Sequence, residues 1–181
     1  MYTFISMLRG INVGGGNKIR MPELKDLYES LNLTNVVTYV QSGNVIFDCA
    51  EGDAGQIARL IEAEIERSFR HSVPVFMRDR NRFKQIIDGN PFANERNEDP
   101  AKLHVTFLSS APSELALSNL AIPTDIYDQF FVFDKEIYLF CPNGYGRTKL
   151  SNSFFERKLR VLATTRNWKT VNALYDIANR R

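Results

Sequence analysis

Apolar residues recur with a helical period in two segments of the first half of the chain. In the first segment Pro22 is followed by apolar residues spaced i, i+3, i+4 and i+7, which fall on one helix face: Leu24, Leu27, Tyr28 and Leu31. In the second segment Asp53 and Gln56 form an Asp-led version of a capping box. Its apolar residues are Ile57, Leu60, Ile61, Ile65 and Phe69. These patterns predict two amphipathic helices.

Short apolar runs around these helices predict strands. Residues 36–40 and 45–48 are rich in β-branched and aromatic side chains, and Gln41-Ser-Gly-Asn44 between them predicts a hairpin or sharp bend. Further strands are predicted at residues 2–13 and 73–77. The resulting order, βαββαβ, is that of the ferredoxin-like unit.

The second half of the chain repeats this order imperfectly. Strands are predicted at 103–108, 127–133 and 137–141, with a weak helix at 113–120. Asp79 is expected to cap a short helix. Ser153 and Glu156 are expected to form the capping box of a longer helix that buries Phe155, Leu159 and Leu162. Residues 164–170 are interpreted as a link to a final helix at about 168–178, so this half reads βαββα without a closing strand.

These elements predict an α+β fold of two ferredoxin-like lobes with a C-terminal helical tail. The predicted division is a first lobe at 1–79, a connecting helix and loop at 80–100, and a second lobe with basic C-terminal helices at 101–181. Residue identity between the halves is negligible, so the duplication rests on pattern alone.

Composition changes this picture only through charge. With 44% hydrophobic and 24% charged residues and no long apolar run, the chain is typical of a globular protein without a membrane span, and we expect a cytoplasmic location. The net charge of +2 conceals an asymmetry, because residues 142–181 hold nine of the 23 Lys and Arg but two of the 21 acids. That segment is therefore +7 and the preceding 141 residues −5. Such a basic segment favours an anionic partner.

A glycine-dense loop after the first strand is the leading candidate site. Its candidate ligand contacts are Arg9, Gly10, Asn12, Gly14, Gly15 and Lys18. Bare backbone N–H groups at glycine, with cations beside them, are suited to phosphate or carboxylate. Neither the dinucleotide-binding nor the P-loop glycine spacing is present, so no cofactor is predicted. The alternative is a mobile surface loop with solvated cations.

A comparable junction follows the strand at 137–141. Gly144 and Gly146 lie beside Arg147 and Lys149 ahead of a predicted helix, and Lys149 is a candidate cation for an anionic ligand. In the link that follows, Arg166 is a candidate for bidentate anion contact, and either Asn167 or Thr165 for capping the last helix. Trp168 is a candidate either for stacking on a base or for filling a hydrophobic gap.

Other candidates come from the bend between the second and third strands. Ser42, Gly43 and Asn44 are included among the ligand contacts. An RNA-recognition sheet stacks bases on aromatic side chains of its two central strands. Here Asn44 occupies the position of one such aromatic residue, so only Phe4 remains as a stacking platform. His71 and His104 lack partners at ligand spacing, so no metal site is predicted.

The chain resembles a bacterial family known only as a domain of unknown function. The resemblance rests on Leu8-Arg-Gly-Ile-Asn-Val-Gly-Gly15, Tyr39-Val-Gln-Ser-Gly-Asn-Val45 with Phe47, Asn90-Pro-Phe92 and Thr165-Arg-Asn-Trp-Lys-Thr170, with Met21 and Leu24 after the first loop. It implies a two-lobed α+β fold with ferredoxin-like subdomains and no established activity. Gly16 departs from the family pattern, in which a polar residue is more usual.

Three functions remain open at this point. The first is a module that binds a phosphate-bearing ligand, either nucleic acid or a nucleotide. The second is an enzyme acting on a phosphorylated metabolite clamped by Arg9, Lys149 and Arg166. The third is a protein–protein adaptor whose cations are solvated. The sequence predicts no oligomeric state.

Overall fold

The computed structural model describes residues 1–121 and 127–181 and divides into two compact units. The first comprises Met1–Lys84 and Ala173–Arg181, and the second comprises Gln85–Asn172. Whereas the sequence assigned all of the last helix to the second lobe, the C-terminal residues 173–181 belong to the first unit.

The first unit contains a four-stranded antiparallel sheet in the order β2-β3-β1-β4. Phe4 of β1 lies opposite Phe47 of β3, and Ser6 lies opposite Met77 of β4. The predicted hairpin is confirmed, because β2 and β3 pair directly. The elements are β1 (Tyr2–Leu8), α1 (Met21–Ser30), β2 (Thr34–Tyr39), β3 (Asn44–Cys49), α2 (Ala54–Phe69) and β4 (Val75–Asp79).

The core of the first unit forms where the two helices cover one sheet face. Phe4, Leu8 and Phe47 from the sheet are buried in one cluster with Leu24 from α1 and Ile61 from α2. Asp53 caps α2 as predicted, since its Oδ1 accepts the N–H groups of Gly55 at 2.9 Å and Gln56 at 3.0 Å. Leu60 was expected on the buried face but is 50% exposed. The helical period places Leu60 at the margin of the apolar stripe, where pattern alone does not decide burial.

The second unit repeats this topology with the sheet order β6-β7-β5-β8. Its core packs Leu108, Ile137 and Leu139 of the sheet against Phe155 and Leu159 of α6. The remaining elements are α3 (Arg80–Asp88), α4 (Pro91–Asn94), β5 (Leu103–Leu108), α5 (Glu114–Ser118), β6 (Gln129–Phe133), β7 (Glu136–Phe140), α6 (Asn152–Leu159), β8 (Ala163–Asn167) and α7 (Trp168–Asn179).

The missing closing strand is a correction to the sequence interpretation. Residues 163–167 form β8, which pairs antiparallel with β5 and completes βαββαβ in the second unit. The strand was missed because Thr164, Thr165 and Arg166 break the apolar alternation that identifies a strand, although threonine is a good strand former. It is also only five residues long and runs straight into α7.

The start of α6 is a second correction. Ser151, and not Ser153, is its N-cap, because the Ser151 hydroxyl accepts the N–H of Phe154 at 3.2 Å. Leu162 lies beyond the helix and is 45% exposed. Only Ser153 has a glutamate three residues later, as a capping box requires, but any serine can cap a helix through its hydroxyl, and Ser151 does so here.

None of the helices in the described ranges has the length and apolar composition to cross a membrane. Within the same ranges, His, Cys, Asp and Glu side chains form no group of three placed to hold a metal ion.

Asp48, the second-last residue of β3, is a buried carboxylate held by three side chains. Its Oδ1 accepts a hydrogen bond from Thr3 Oγ1 at 2.7 Å, and its Oδ2 accepts one from Asn35 Nδ2 at 2.8 Å. Arg181 Nη1 lies 3.6 Å from Oδ2. Burial alone would raise the pKa of Asp48, but the bonds from Asn35 and Thr3 and the Arg181 charge hold the pKa below its ordinary value of 3.8.

Replacing Asp48 with Asn is expected to destabilise the protein in a pH-dependent way. At pH 7 the free energy of unfolding should fall by about 1–3 kcal/mol, since Thr3 and Arg181 lose a charged acceptor. Because the folded-state pKa is lowered, this stabilisation is present above about pH 4 and is lost as the pH falls through the folded-state value. Urea unfolding between pH 7 and pH 3 measures the difference. Asp26→Asn, at an exposed position of α1, is the control, and equal pH dependence in D48N and wild type would contradict the assignment.

Candidate functional site

The glycine loop joins β1 to α1 and adopts left-handed backbone at several positions. Gly14 and Gly15 have φ angles of +62° and +83°, and a Cβ added at either would meet nothing within 4 Å. These glycines are therefore required by backbone conformation and not by crowding. Asn12 at φ 55° and Asn17 at φ 41° are also in the left-handed region.

Asn12 fixes the base of this loop. Its Nδ2 donates to the carbonyl oxygens of Ile19 and Gln41, both at 2.8 Å, and its Oδ1 accepts the N–H of Ile19 at 3.0 Å. The Asn12 backbone N–H also donates to Asn17 O at 3.2 Å. The side chain is thus a positioning residue that joins the two ends of the loop to the β2–β3 turn.

The β2–β3 turn holds the loop from the other side. Leu8 N–H donates to Gly43 O at 2.8 Å, and an added Cβ at Gly43 would lie 2.5 Å from Ile11 Cδ1. Asn44 is fully buried, with its Nδ2 donating to Tyr39 O and Ser42 Oγ, each at 3.1 Å. Ser42, Gly43 and Asn44 therefore shape the turn through internal contacts.

A hollow of about 560 Å³ lies beside the loop, within the volume range of ligand pockets. It is bordered by the loop, the start of α1 and Gln41 of the turn. The lining includes Gly15, Gly16, Lys18, Ile19, Arg20 and Met21. The loop therefore brings backbone, cations and apolar side chains to one depression.

The charge at this hollow comes from Lys18 and Arg20. Lys18 is exposed and makes no ion pair or hydrogen bond with any described residue. Arg20 Nε lies 3.1 Å from Glu23 Oε1. Because this ion pair is exposed to water, it contributes little to stability. Arg9 is not among the residues that line the hollow, and its N–H donates to Pro74 O at 3.0 Å.

The first turn of α1 adds to the positive potential. Arg20, the N-cap residue, makes no capping hydrogen bond with its side chain, and Pro22 has no N–H to donate. Helix N-termini attract anions through their unpaired N–H groups and the helix dipole. Met21, the first residue of α1, lines the hollow.

The candidates in the second unit have a different character. Arg166 is buried in β8, with Nη1 donating to Thr164 Oγ1 and to Thr165 O, both at 3.0 Å. Burial lowers the pKa of Arg166 to about 10, so the guanidinium remains charged at neutral pH. The Arg166 guanidinium therefore forms hydrogen bonds within β8.

Asn167 and Trp168 have structural roles at the start of α7. The Asn167 Oδ1 accepts the N–H of Thr170 at 2.7 Å, which confirms it as the cap of the final helix. Trp168 is 7% exposed, as expected of a residue that fills a hydrophobic gap and not of a base-stacking surface. Lys149 is exposed, in the segment between β7 and α6.

The aromatic side chain that could serve as the platform of an RNA-recognition sheet in the first unit is buried. Phe4 is 2% exposed and faces the helices, in the same cluster as Phe47 and Tyr28. A side chain that packs beneath helices cannot stack on a base, so burial argues against that reading of the first unit.

The structure also gathers a polar cluster that the sequence did not indicate. His104 of β5 stacks on Tyr145 with the ring centroids 4.7 Å apart, and Thr165 Oγ1 lies 2.6 Å from Asn152 Oδ1 and 2.7 Å from Thr106 Oγ1. Burial lowers the pKa of His104, which is therefore neutral at pH 7. These residues come from four separate segments, so no local spacing could have predicted the cluster.

Fold and loop together define an α+β protein of two βαββαβ units with a glycine-loop hollow in the first. The chain belongs to the family described as "Protein of unknown function (DUF1697)", whose model matches residues 1–138. Among solved structures it is similar to a conserved bacterial protein from Streptococcus pneumoniae, with 23% identity, 98% of each chain covered and a TM-score of 0.73. At that identity the similarity shows the fold alone. No curated protein matches the chain.

Replacing Gly43 with Ala is expected to destabilise the protein by about 2–4 kcal/mol. The left-handed backbone costs about 1 kcal/mol or more, and the contacts at 2.5 Å to Ile11 and 2.9 Å to Leu8 add overpacking of about 1–3 kcal/mol. Gly10→Ala is the matched control, since Gly10 has a φ of +71° against +74° but no atom within 4 Å of its Cβ position. Urea unfolding of both variants separates packing from backbone strain, and equal losses would contradict the packing role.

Proposed function

We propose that the protein binds a phosphate-bearing ligand, a nucleotide or nucleic acid, at the hollow beside the glycine loop. The observation that carries this proposal is the convergence of two cations, a glycine backbone and an uncapped helix start on one depression of about 560 Å³. Each of these attracts oxyanions by a separate physical route.

The apolar part of the lining supports a nucleotide over a bare anion. Ile19, Met21 and Pro22 border the same hollow as Lys18 and Arg20. A base or sugar has an apolar face to place on such side chains, while its phosphate is held by the cations. The ligand class that uses both parts of the hollow is therefore a phosphorylated nucleoside, free or within a strand.

Asn12 and Gly43 support this function by limiting loop movement. Two hydrogen bonds between Asn12 and Ile19 join the ends of the loop, and a third ties Asn12 to Gln41 of the turn. A loop held in this way loses less conformational entropy when a ligand binds. The buried amide of Asn44 fixes the neighbouring turn in the same way.

We infer further that each unit is ferredoxin-like. Both have the element order βαββαβ and a four-stranded antiparallel sheet with the second and third strands of the unit adjacent and the first strand next to the fourth. The nucleotide hollow then follows the first strand of the first such unit.

The enzyme alternative has less support. Of its three clamp residues, Arg9 does not line the hollow and Arg166 is buried with its guanidinium bonded inside β8. The described residues that line the hollow include no pair of side chains suited to act as general acid and general base. Binding without chemistry is the simpler function for these residues.

Removing the two cations at the hollow should weaken ligand binding. For K18Q/R20Q we expect about tenfold weaker binding of a labelled single-stranded oligonucleotide, and a log-affinity against log-salt slope shallower by about 1.4, since each phosphate contact on a single strand contributes about 0.7. Fluorescence titrations at several salt concentrations, with RNA and with single-stranded DNA, measure both quantities.

The control for this experiment is R59Q/R70Q, which removes two exposed cations from the first unit away from the hollow. A thermal-shift panel of nucleotides tests the free-ligand form, because a ligand at 100 times its dissociation constant stabilises by about 2.7 kcal/mol. The proposal fails if K18Q/R20Q and R59Q/R70Q lose affinity equally, or if neither oligonucleotides nor nucleotides bind.

A further inference from the structure

A second hollow, of about 520 Å³, lies within the second unit between α5 and the end of α6. One side carries Ser113, the N-cap residue of α5, and Asn119, which follows that helix. The other side carries Arg157, Lys158 and Arg160. Three of its seven lining residues are cations and none is acidic, so the lining carries a net positive charge.

The three cations are not neutralised by the described part of the chain. Arg157, Lys158 and Arg160 make no ion pair and no side-chain hydrogen bond with any residue of 1–121 or 127–181. Four exposed cations elsewhere have a carboxylate within 4.0 Å: Arg20 with Glu23, Lys25 with Glu29, Arg67 with Glu64 and Arg96 with Glu98. What distinguishes the cluster from a single unpaired cation such as Lys18 is that three cations line one hollow.

The nearest acidic residue in sequence is directed elsewhere. Glu156 Oε1 accepts the N–H of Ala163 at 3.0 Å and so ties α6 to β8. Basic residues in a last helical turn are favoured by the helix dipole, which accounts for Arg157 and Lys158. The dipole does not account for the hollow, or for Arg160 in the left-handed position (φ 60°) where glycine is usual.

We propose that this hollow binds a ligand carrying two or more adjacent phosphates. Three neighbouring cations match several closely spaced negative charges, and guanidinium groups bind phosphate oxygens in a bidentate manner. The Ser113 hydroxyl accepts the N–H of Ala116 and keeps its own proton for donation to a phosphate. The site is independent of the glycine-loop hollow, and the adjacent phosphates come either from a free polyphosphate or from a nucleic-acid backbone.

Calorimetric titration with inorganic tripolyphosphate, orthophosphate and a ten-nucleotide single strand tests this site. We expect tripolyphosphate to bind wild-type protein at least tenfold more tightly than orthophosphate does. R157Q/K158Q/R160Q should lose at least tenfold in tripolyphosphate affinity. If the triple variant also weakens the oligonucleotide and flattens its salt slope, the phosphates belong to a nucleic-acid backbone; loss of tripolyphosphate binding alone identifies a free polyphosphate.

The matched control is R59Q/R67Q/R70Q on α2, the helix that occupies the equivalent place in the first unit. It removes the same charge and includes Arg70, which has the same left-handed cap position at φ 59°. R157Q/R160Q leaves the half-buried Lys158 in place and serves if the triple variant does not fold. Equal affinity in wild type and the cluster variants, or an equal loss in the α2 control, overturns the proposal.

Discussion

The first unit depends on how the Asn12 amide closes the glycine loop. A segment with several left-handed residues has no regular hydrogen bonds of its own, so its conformation must be imposed from outside. Asn12 supplies this with three hydrogen bonds that join the loop to Ile19 and to Gln41 of the next turn. Gly43 completes the closure, because only a residue without Cβ lets the turn approach Ile11 and Leu8. Both constraints join the loop to the same turn, and Asn12 and Gln41 both line the hollow.

Much of the fold could be predicted because its elements obey simple periodicities. The α1 stripe and the strand at residues 103–108 are where the pattern placed them, and Asp53 and Asn167 cap their helices as expected. The failures occur where a pattern is shared or hidden. Ser151 and Ser153 both fit a cap, and β8 is a strand whose side chains are mostly polar. Choosing between such readings needs the tertiary partner, here β5, which no local window contains.

The candidate site shows a similar division between local and distant information. The glycines and cations of the loop could be located from the sequence, since left-handed backbone and charge are both local properties. The sequence could not tell which cations are available. In the sequence Arg166 and Lys18 are equivalent as cations. In the structure Arg166 is buried with internal hydrogen bonds, whereas Lys18 is exposed at the hollow. Burial depends on the whole fold, and it separates a guanidinium that is bonded inside the fold from a cation that is open to solvent.

The same reasoning explains why net charge is a poor guide to function in this protein. The +7 of residues 142–181 includes Arg166 and Arg181, whose charges are engaged inside the fold, and Arg157, Lys158 and Arg160, which have no partner among the described residues. A total charge cannot distinguish cations that stabilise a strand from cations that face an open hollow. Only unpaired cations beside a depression gain new contacts when an anion arrives, because a paired guanidinium must first lose the hydrogen bonds it already makes. Among the described residues, Lys18 at the first hollow and Arg157, Lys158 and Arg160 at the second are cations of this kind.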